Sequence, residues 1–344
     1  MENVKLYFAA IAIATVISGA LTPLVRWLAL RRNWLDTPET RVKTHKVATP
    51  SLGGVAIWAS FTLTLLIMRL FTTFPTGTLR SLRAMLIGGF FVFLLGVVDD
   101  LKKPAGLHFK PKFIVQSLAA AFLLWYDMRI HFITPDYLAI ALTVLWVVGI
   151  SNALNIIDIM DGLAASQAAI ASFAFMLIAV SWNNIYVNFG AAALMGAALG
   201  FLPWNLSEKR KIFMGDSGSL FLGFELSALA LGTSYSHNNP LAVYAPLFIL
   251  LVPMYDTFFV MAVRMIHGQS PFLGSKDHFA LRLEAMGFSR PQIVALAGLV
   301  AGILALSAYV VTQVELGWAI GVYFVLVTYL VLISWKLYQI RMKI

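Results

Sequence analysis

Apolar stretches, mostly of about 17 to 25 residues and so long enough to cross a hydrocarbon core of about 30 Å as helices, recur along the whole chain. Eleven can be read, at roughly 4–30, 51–71, 82–98, 111–127, 136–154, 162–181, 185–204, 217–234, 240–264, 291–312 and 315–335. The chain is 60% hydrophobic and 12% charged with a mean hydropathy of +0.83, against about 25% charged residues in an average soluble domain. A soluble fold is excluded. The expectation is an all-α integral membrane protein of about eleven transmembrane helices, forming a single polytopic domain over residues 1–344. Lys5 and the small residues Ser18 to Ala20 give the first span some look of a secretory signal. Its apolar run continues to Leu30 and closes on Arg31 and Arg32, so a retained signal anchor is expected. With no cysteine in the chain, disulfides and thiol chemistry are excluded.

Orientation follows from Lys and Arg in short loops and near span ends, which tend to remain cytoplasmic. With eleven spans and the N-terminus outside, the C-terminus is cytoplasmic and 20 of the 25 Lys and Arg residues fall on the cytoplasmic side. Such a basic face also suits anionic lipid headgroups and an anionic substrate. This topology puts five polar clusters on one side: Arg41 to Gly54, Asp99 to Lys103, Asn152 to Asp161, Asn205 to Ser219 and Ser275 to Arg282. Carboxylates beside hydrocarbon cost several kcal/mol unless paired, hydrated or metal-bound. A one-sided set of them points to an active site.

Asp99 and Asp100 end the third span, where the helix dipole disfavours anions. Lys102 and Lys103 could neutralise them structurally; alternatively the pair meets a metal ion or shares a proton. Asn152, Asn155 and Asp158 stand three residues apart and form a polar stripe if helical, with Asp161 continuing it. Such a stripe can address a nucleobase, a sugar or a metal, or can glue helices together. Phe213 to Ser219 opens the eighth span, with Asp216 or Ser217 as a cap and free amides that could receive phosphate. Asp216 is also the best single Mg²⁺ candidate, since that ion takes one or two carboxylates and completes its shell with water and phosphate. Arg41, Lys43, His45 and Lys46 precede Pro50 and the Gly53-Gly54 pair, read as a Pro-initiated helix able to hold phosphate or as an ordinary basic loop. His278 alone, in the longest cytoplasmic loop, carries little weight.

Taken in order and combination, Lys43 to Lys46, Thr49-Pro50, Gly53-Gly54, Asp99-Asp100, Asn152 to Gly162, Gly215 to Ser219 and Asp277-His278 resemble the polyprenyl-phosphate N-acetylhexosamine-1-phosphate transferase family, glycosyltransferase family 4. The likeness spans nearly the whole chain. It implies a cytoplasm-facing cleft in a multi-pass protein of the bacterial inner membrane. There a sugar 1-phosphate passes from a UDP-sugar to undecaprenyl or another polyprenyl phosphate, UMP is released, and Mg²⁺, or in its place Mn²⁺, is used. The resemblance makes Asp216 the metal ligand, Lys46 the lysine near the diphosphate, and Asp99 of the acidic pair Asp99-Asp100 the group that deprotonates or orients the lipid phosphate. It places Asn152, Asn155, Asp158 and Asp161 along the nucleotide and metal region, with Asp158 among the catalytic groups and His45 on the substrate beside Lys46. It sets Asn205 near the uracil, and His278 and Arg282 on the donor.

One departure is informative. The family's loop usually carries further histidines, whereas Lys276 and Asp277 precede a single His278 here and Ala280 and Leu281 follow. That argues against the muramyl-pentapeptide branch and points to the GlcNAc-1-phosphate branch, which starts O-antigen, teichoic acid or other surface polysaccharides. Expected partners are the UDP-sugar, polyprenyl phosphate and membrane lipids, without nucleic acid; a homodimer is compatible with the chain. The competing class is an ion-coupled secondary transporter, whose carboxylates usually sit near the midplane in repeated broken helices. These acids cluster at one boundary and no repeat is visible. A non-catalytic membrane scaffold would leave them without purpose.

Overall fold

Every one of the eleven apolar stretches forms helix in the computed structural model, which describes residues 2–38, 47–103, 105–270 and 276–340. The order is α1 (Glu2–Arg31), β1 (Leu35–Asp36), β2 (Thr49–Pro50), α2 (Gly54–Phe71), α3 (Thr76–Leu101), α4 (Phe109–Trp125), α5 (Asp136–Ile157), α6 (Leu163–Ser181), α7 (Ile185–Asn205) and α8 (Gly215–Gly232). A 3-10 turn (Pro240–Tyr244) then leads into α9 (Ala245–Ile249), α10 (Leu251–Ile266), α11 (Phe279–Ala285), α12 (Arg290–Gln313) and α13 (Leu316–Tyr338). The fold is all-α, and β1 and β2 make only a two-residue antiparallel pair. Among the described residues eight helices are long and apolar enough to cross a membrane. The segment Pro240–Ile249 with α10, bent by 71°, makes a ninth if it is one span.

The two expected spans outside that count are α4 and α8. Helix α4 has only 17 residues, whereas α8 carries Asp216, Ser217, Ser219, Glu225 and Ser227. The polarity of α8 has a packing explanation. It lies against α2, α3, α5, α6 and α7, and every residue from Ser217 to Ala230 is buried, so lipid does not select its side chains. Helix α13 is the opposite case, with only Ala319 and Leu337 buried and a surface that is mostly apolar up to Lys336 in its last turn.

Small residues let α2 and α3 approach the first turn of α8. A Cβ on Gly54 would lie 2.1 Å from the Gly218 nitrogen, and one on Gly96 would lie 2.4 Å from Ser217 Cα. The Gly53-Gly54 pair is thus a packing device. Its amides donate to Phe213 O at 2.9 Å and Met214 O at 2.8 Å, while Phe213 N donates to Pro50 O at 2.8 Å. Pro50 does not open a helix as expected: it sits in β2, and α2 begins at Gly54 after Leu52 has turned to φ 75°. The polar stripe on α5 also ends early. Asn152 and Asn155 are helical, but the helix stops at Ile157, Asp158 is its C-cap, and Asp161 lies in the turn before Gly162. Gly162 takes φ 79°, which only glycine adopts without strain. That reversal breaks the helical periodicity.

Candidate active site

The end of α3 meets the start of α8. Asp100, next to last on α3, is buried, and its Oδ1 and Oδ2 accept the backbone N–H groups of Asp216 (2.9 Å) and Ser217 (3.0 Å). The expectation that Asp216 or Ser217 caps α8 is corrected by this geometry, since the cap comes from another helix. The amides once available to phosphate already hold a carboxylate. An anion at a helix N-terminus is favoured by the dipole, and charge-assisted bonds of this kind contribute about 1.5–3 kcal/mol each, which offsets the unfavourable place of Asp100 at the end of α3. Gly215 makes the junction fit. It has φ 74°, and a Cβ there would lie 2.3 Å from Asp100 Oδ2.

Two lysines tie three carboxylates together. Lys112, near the start of α4, places Nζ 2.9 Å from Asp99 Oδ2 and 2.7 Å from Asp216 Oδ2. Lys103 places Nζ 2.7 Å from Asp100 Oδ1 and 3.3 Å from Asp216 Oδ1. Asp99 Oδ1 accepts the Leu107 amide at 2.5 Å, which sets Leu107 against the acid. Desolvation works against the charge of Lys103, yet Asp216 and Asp100 hold its pKa above the ordinary lysine value. Asp158 faces the same cluster. Desolvation pushes its carboxyl up to about 7, with Lys103 pulling down and Asp216, Asp161 and Asp100 pushing up.

The amides of the expected site serve as clips. Asn152 Nδ2 donates to Gln116 Oε1 and to Val148 O, both at 2.7 Å. Asn155 Nδ2 donates to Ser219 Oγ at 2.9 Å, joining α5 to α8. Asn205 is buried; it accepts the Gly162 amide at 2.5 Å and donates to Ile212 O at 3.0 Å. Asp161 pairs with Lys211 at 2.5 Å on the rim of the same turn.

His278 and Arg282 are held elsewhere in the fold. His278 Nδ1 lies 2.6 Å from Asp256 Oδ2, and Asp256 Oδ1 accepts the Phe279 amide at 2.9 Å. Arg282 is buried and donates to Leu337 O (3.1 Å), Ile340 O (2.7 Å), Asp277 O (3.2 Å) and Asp277 Oδ1 (3.0 Å). This arginine closes the end of α13. His45 and Lys46 lie outside the described residues. Lys103 neutralises Asp100 as the sequence allowed, whereas the charge count missed the specific work of Lys112 and Lys211, and Asp256 drew no attention. Its signal was its place inside an apolar span, where an ionisable group is functional by default.

Asp99 and Asp216 offer hard oxygen donors from two helices, although no set of three or more His, Asp or Glu side chains among the described residues is arranged around one point. Two carboxylates facing one cation match the protein share of a Mg²⁺ shell, which water and phosphate complete. The donor set therefore fits Mg²⁺ and suits no softer metal.

A family model described as glycosyl transferase family 4 matches residues 82–234, which include Asp99, Asp100, Asp158 and Asp216. The chain is 31% identical over 323 residues to a protein of Bacillus subtilis (strain 168) described as a probable undecaprenyl-phosphate N-acetylglucosaminyl 1-phosphate transferase, covering 91% of this chain and 87% of the relative. It is 31% identical to the decaprenyl-phosphate N-acetylglucosaminephosphotransferase of Mycolicibacterium smegmatis, over 86% of this chain and 79% of the relative. A phospho-N-acetylmuramoyl-pentapeptide-transferase of Clostridium acetobutylicum is 27% identical, over 80% and 87%.

Proposed function

The chain belongs to glycosyl transferase family 4, and from that membership we propose that it transfers N-acetylglucosamine 1-phosphate, or a closely related sugar 1-phosphate, from a UDP-sugar to a polyprenyl phosphate. The observation that carries the reading is the junction of α3 and α8, where Asp99, Asp100 and Asp216 share Lys103 and Lys112. An oxygen of the lipid phosphate attacks the β-phosphorus of the donor in line. The new P–O bond forms as the bond to the bridging oxygen breaks, and UMP leaves with that oxygen. Such a transfer needs positioning and charge neutralisation more than a protein nucleophile.

Asp216 and Asp99 would hold the Mg²⁺, which when bound supplies charge neutralisation to the diphosphate. Lys103 and Lys112 lie where they can take phosphate oxygens, and Asp99 can orient the acceptor. Asp158, with its carboxyl near neutrality at about 7, can take or hold a proton at the edge of the cluster. His278 is fixed through Nδ1 by Asp256, so Nε2 is the ring nitrogen that would meet the donor. Two N-acetylglucosaminyl relatives and the lone histidine support the GlcNAc branch and a role at the start of cell-wall or O-antigen polysaccharide synthesis. The reading also takes α4, at the edge of the bundle, and α8, inside it, as crossing the membrane, which gives eleven spans, an outside N-terminus and a cytoplasmic site in the bacterial inner membrane. The bias of Lys and Arg supports that orientation. Nothing in the relatives favours an ion-coupled transporter.

Purified protein with Mg²⁺, UDP-GlcNAc and undecaprenyl phosphate should release UMP, and Asp216→Asn should slow release by about 100-fold or more. Absence of UMP with every UDP-HexNAc donor tested would overturn the assignment.

A further inference from the structure

The two acids that fit a metal already have a cation between them. Oδ2 of Asp99, on α3, and Oδ2 of Asp216, on α8, converge on one atom, Lys112 Nζ, at 2.9 and 2.7 Å. The other oxygen of each is committed, Asp99 Oδ1 to the Leu107 amide and Asp216 Oδ1 to Lys103. A divalent ion bridging the two acids would need the place that Lys112 holds. Lys103 is no equivalent, because its shorter bond, 2.7 Å, goes to Asp100 three residues away on its own chain segment. Lys112 comes from a different helix on a four-carbon stem with an ammonium free to rotate. It is half-buried, so its side chain keeps some contact with solvent.

We propose that Lys112 is a resident counter-ion that holds the bridge between Asp99 and Asp216 in the nucleotide-free protein, yields it to the divalent metal that arrives with the donor, and then takes an oxygen of the diphosphate. This deepens the transferase reading and rests on it. Three carboxylates with two lysines carry a formal charge of only −1 at the junction. Free metal is thereby weakly attracted, and the diphosphate supplies the missing negative charge.

The test is Mn²⁺ binding followed by electron paramagnetic resonance on the full-length protein in detergent, without nucleotide. Lys112→Met should bind Mn²⁺ about tenfold more tightly or better than the wild type, because a unit charge some 3 Å from both ligands is removed. Lys112→Arg should stay close to the wild type, and Asp216→Asn added to Lys112→Met should abolish the gain. With UDP-GlcNAc present the difference between wild type and Lys112→Met should shrink. Nucleotide-free Mn²⁺ binding that is equal or weaker in Lys112→Met would overturn the proposal, and Lys112→Gln carries the same expectation if the methionine variant does not fold. UMP release is read separately: tighter Mn²⁺ with no UMP formed by the wild type sinks the transferase reading and leaves the counter-ion.

Discussion

At Gly215 one hydrogen atom stands where any other residue would carry a β-carbon, and the geometry leaves no alternative. The residue has φ 74° and an added Cβ would lie 2.3 Å from an oxygen of Asp100. Gly215→Ala should cost about 1–3 kcal/mol in backbone strain and should also push Asp100 off the Asp216 and Ser217 amides. Thermal melting in detergent and UMP release should fall together, and an alanine variant with unchanged melting would contradict the cap described above. The importance of this position was legible as a Gly-Asp-Ser-Gly run, but its reason was not. Asp100 and Asp216 are 116 residues apart, and no local pattern announces that one will cap the other's helix. The same holds for Asn205, whose short-range sequence context gives no hint of Gly162 as its partner. His45 and Lys46, prominent in the sequence, lie outside the described residues.

Helices were the most legible level, because an apolar stretch of spanning length has few other stable forms. Ends were less so. The turn at Asp158 to Gly162 was hidden by apolar residues on both sides, and Pro50 looked like a helix start until the pairing of Thr49-Pro50 with Leu35-Asp36 was known. Helix α8 shows how enclosure relaxes the demand for hydropathy. Glu225 lies fully buried at its centre, and neither carboxylate oxygen has a hydrogen-bond partner among the described residues. A buried polar group without a partner costs about 1–3 kcal/mol. Glu225→Met, similar in length and free of that cost, should therefore raise the melting temperature. A lowered midpoint would mean that the carboxyl is satisfied by a group other than protein.

Across the whole molecule the sequence could assign sides only through charge, since hydropathy says nothing about which end of a helix faces which compartment. The natural chain has no cysteine, so single cysteines can be introduced without background. Cysteine at the exposed positions Lys209 and Lys336 should react with a membrane-impermeant thiol reagent only from the cytoplasmic face, and at exposed Arg80 only from the opposite face. A reversed or mixed pattern would invert the topology and remove the cytoplasmic site. The cross-helix cap also has a consequence in time. During synthesis Asp100 leaves the ribosome 116 residues ahead of the first amide that will hold it. The half-made chain must therefore park an ionised α3 terminus at the membrane boundary with Lys103 as its nearby neutraliser, so the last part of this centre to be translated is also the part that lets the earliest one settle.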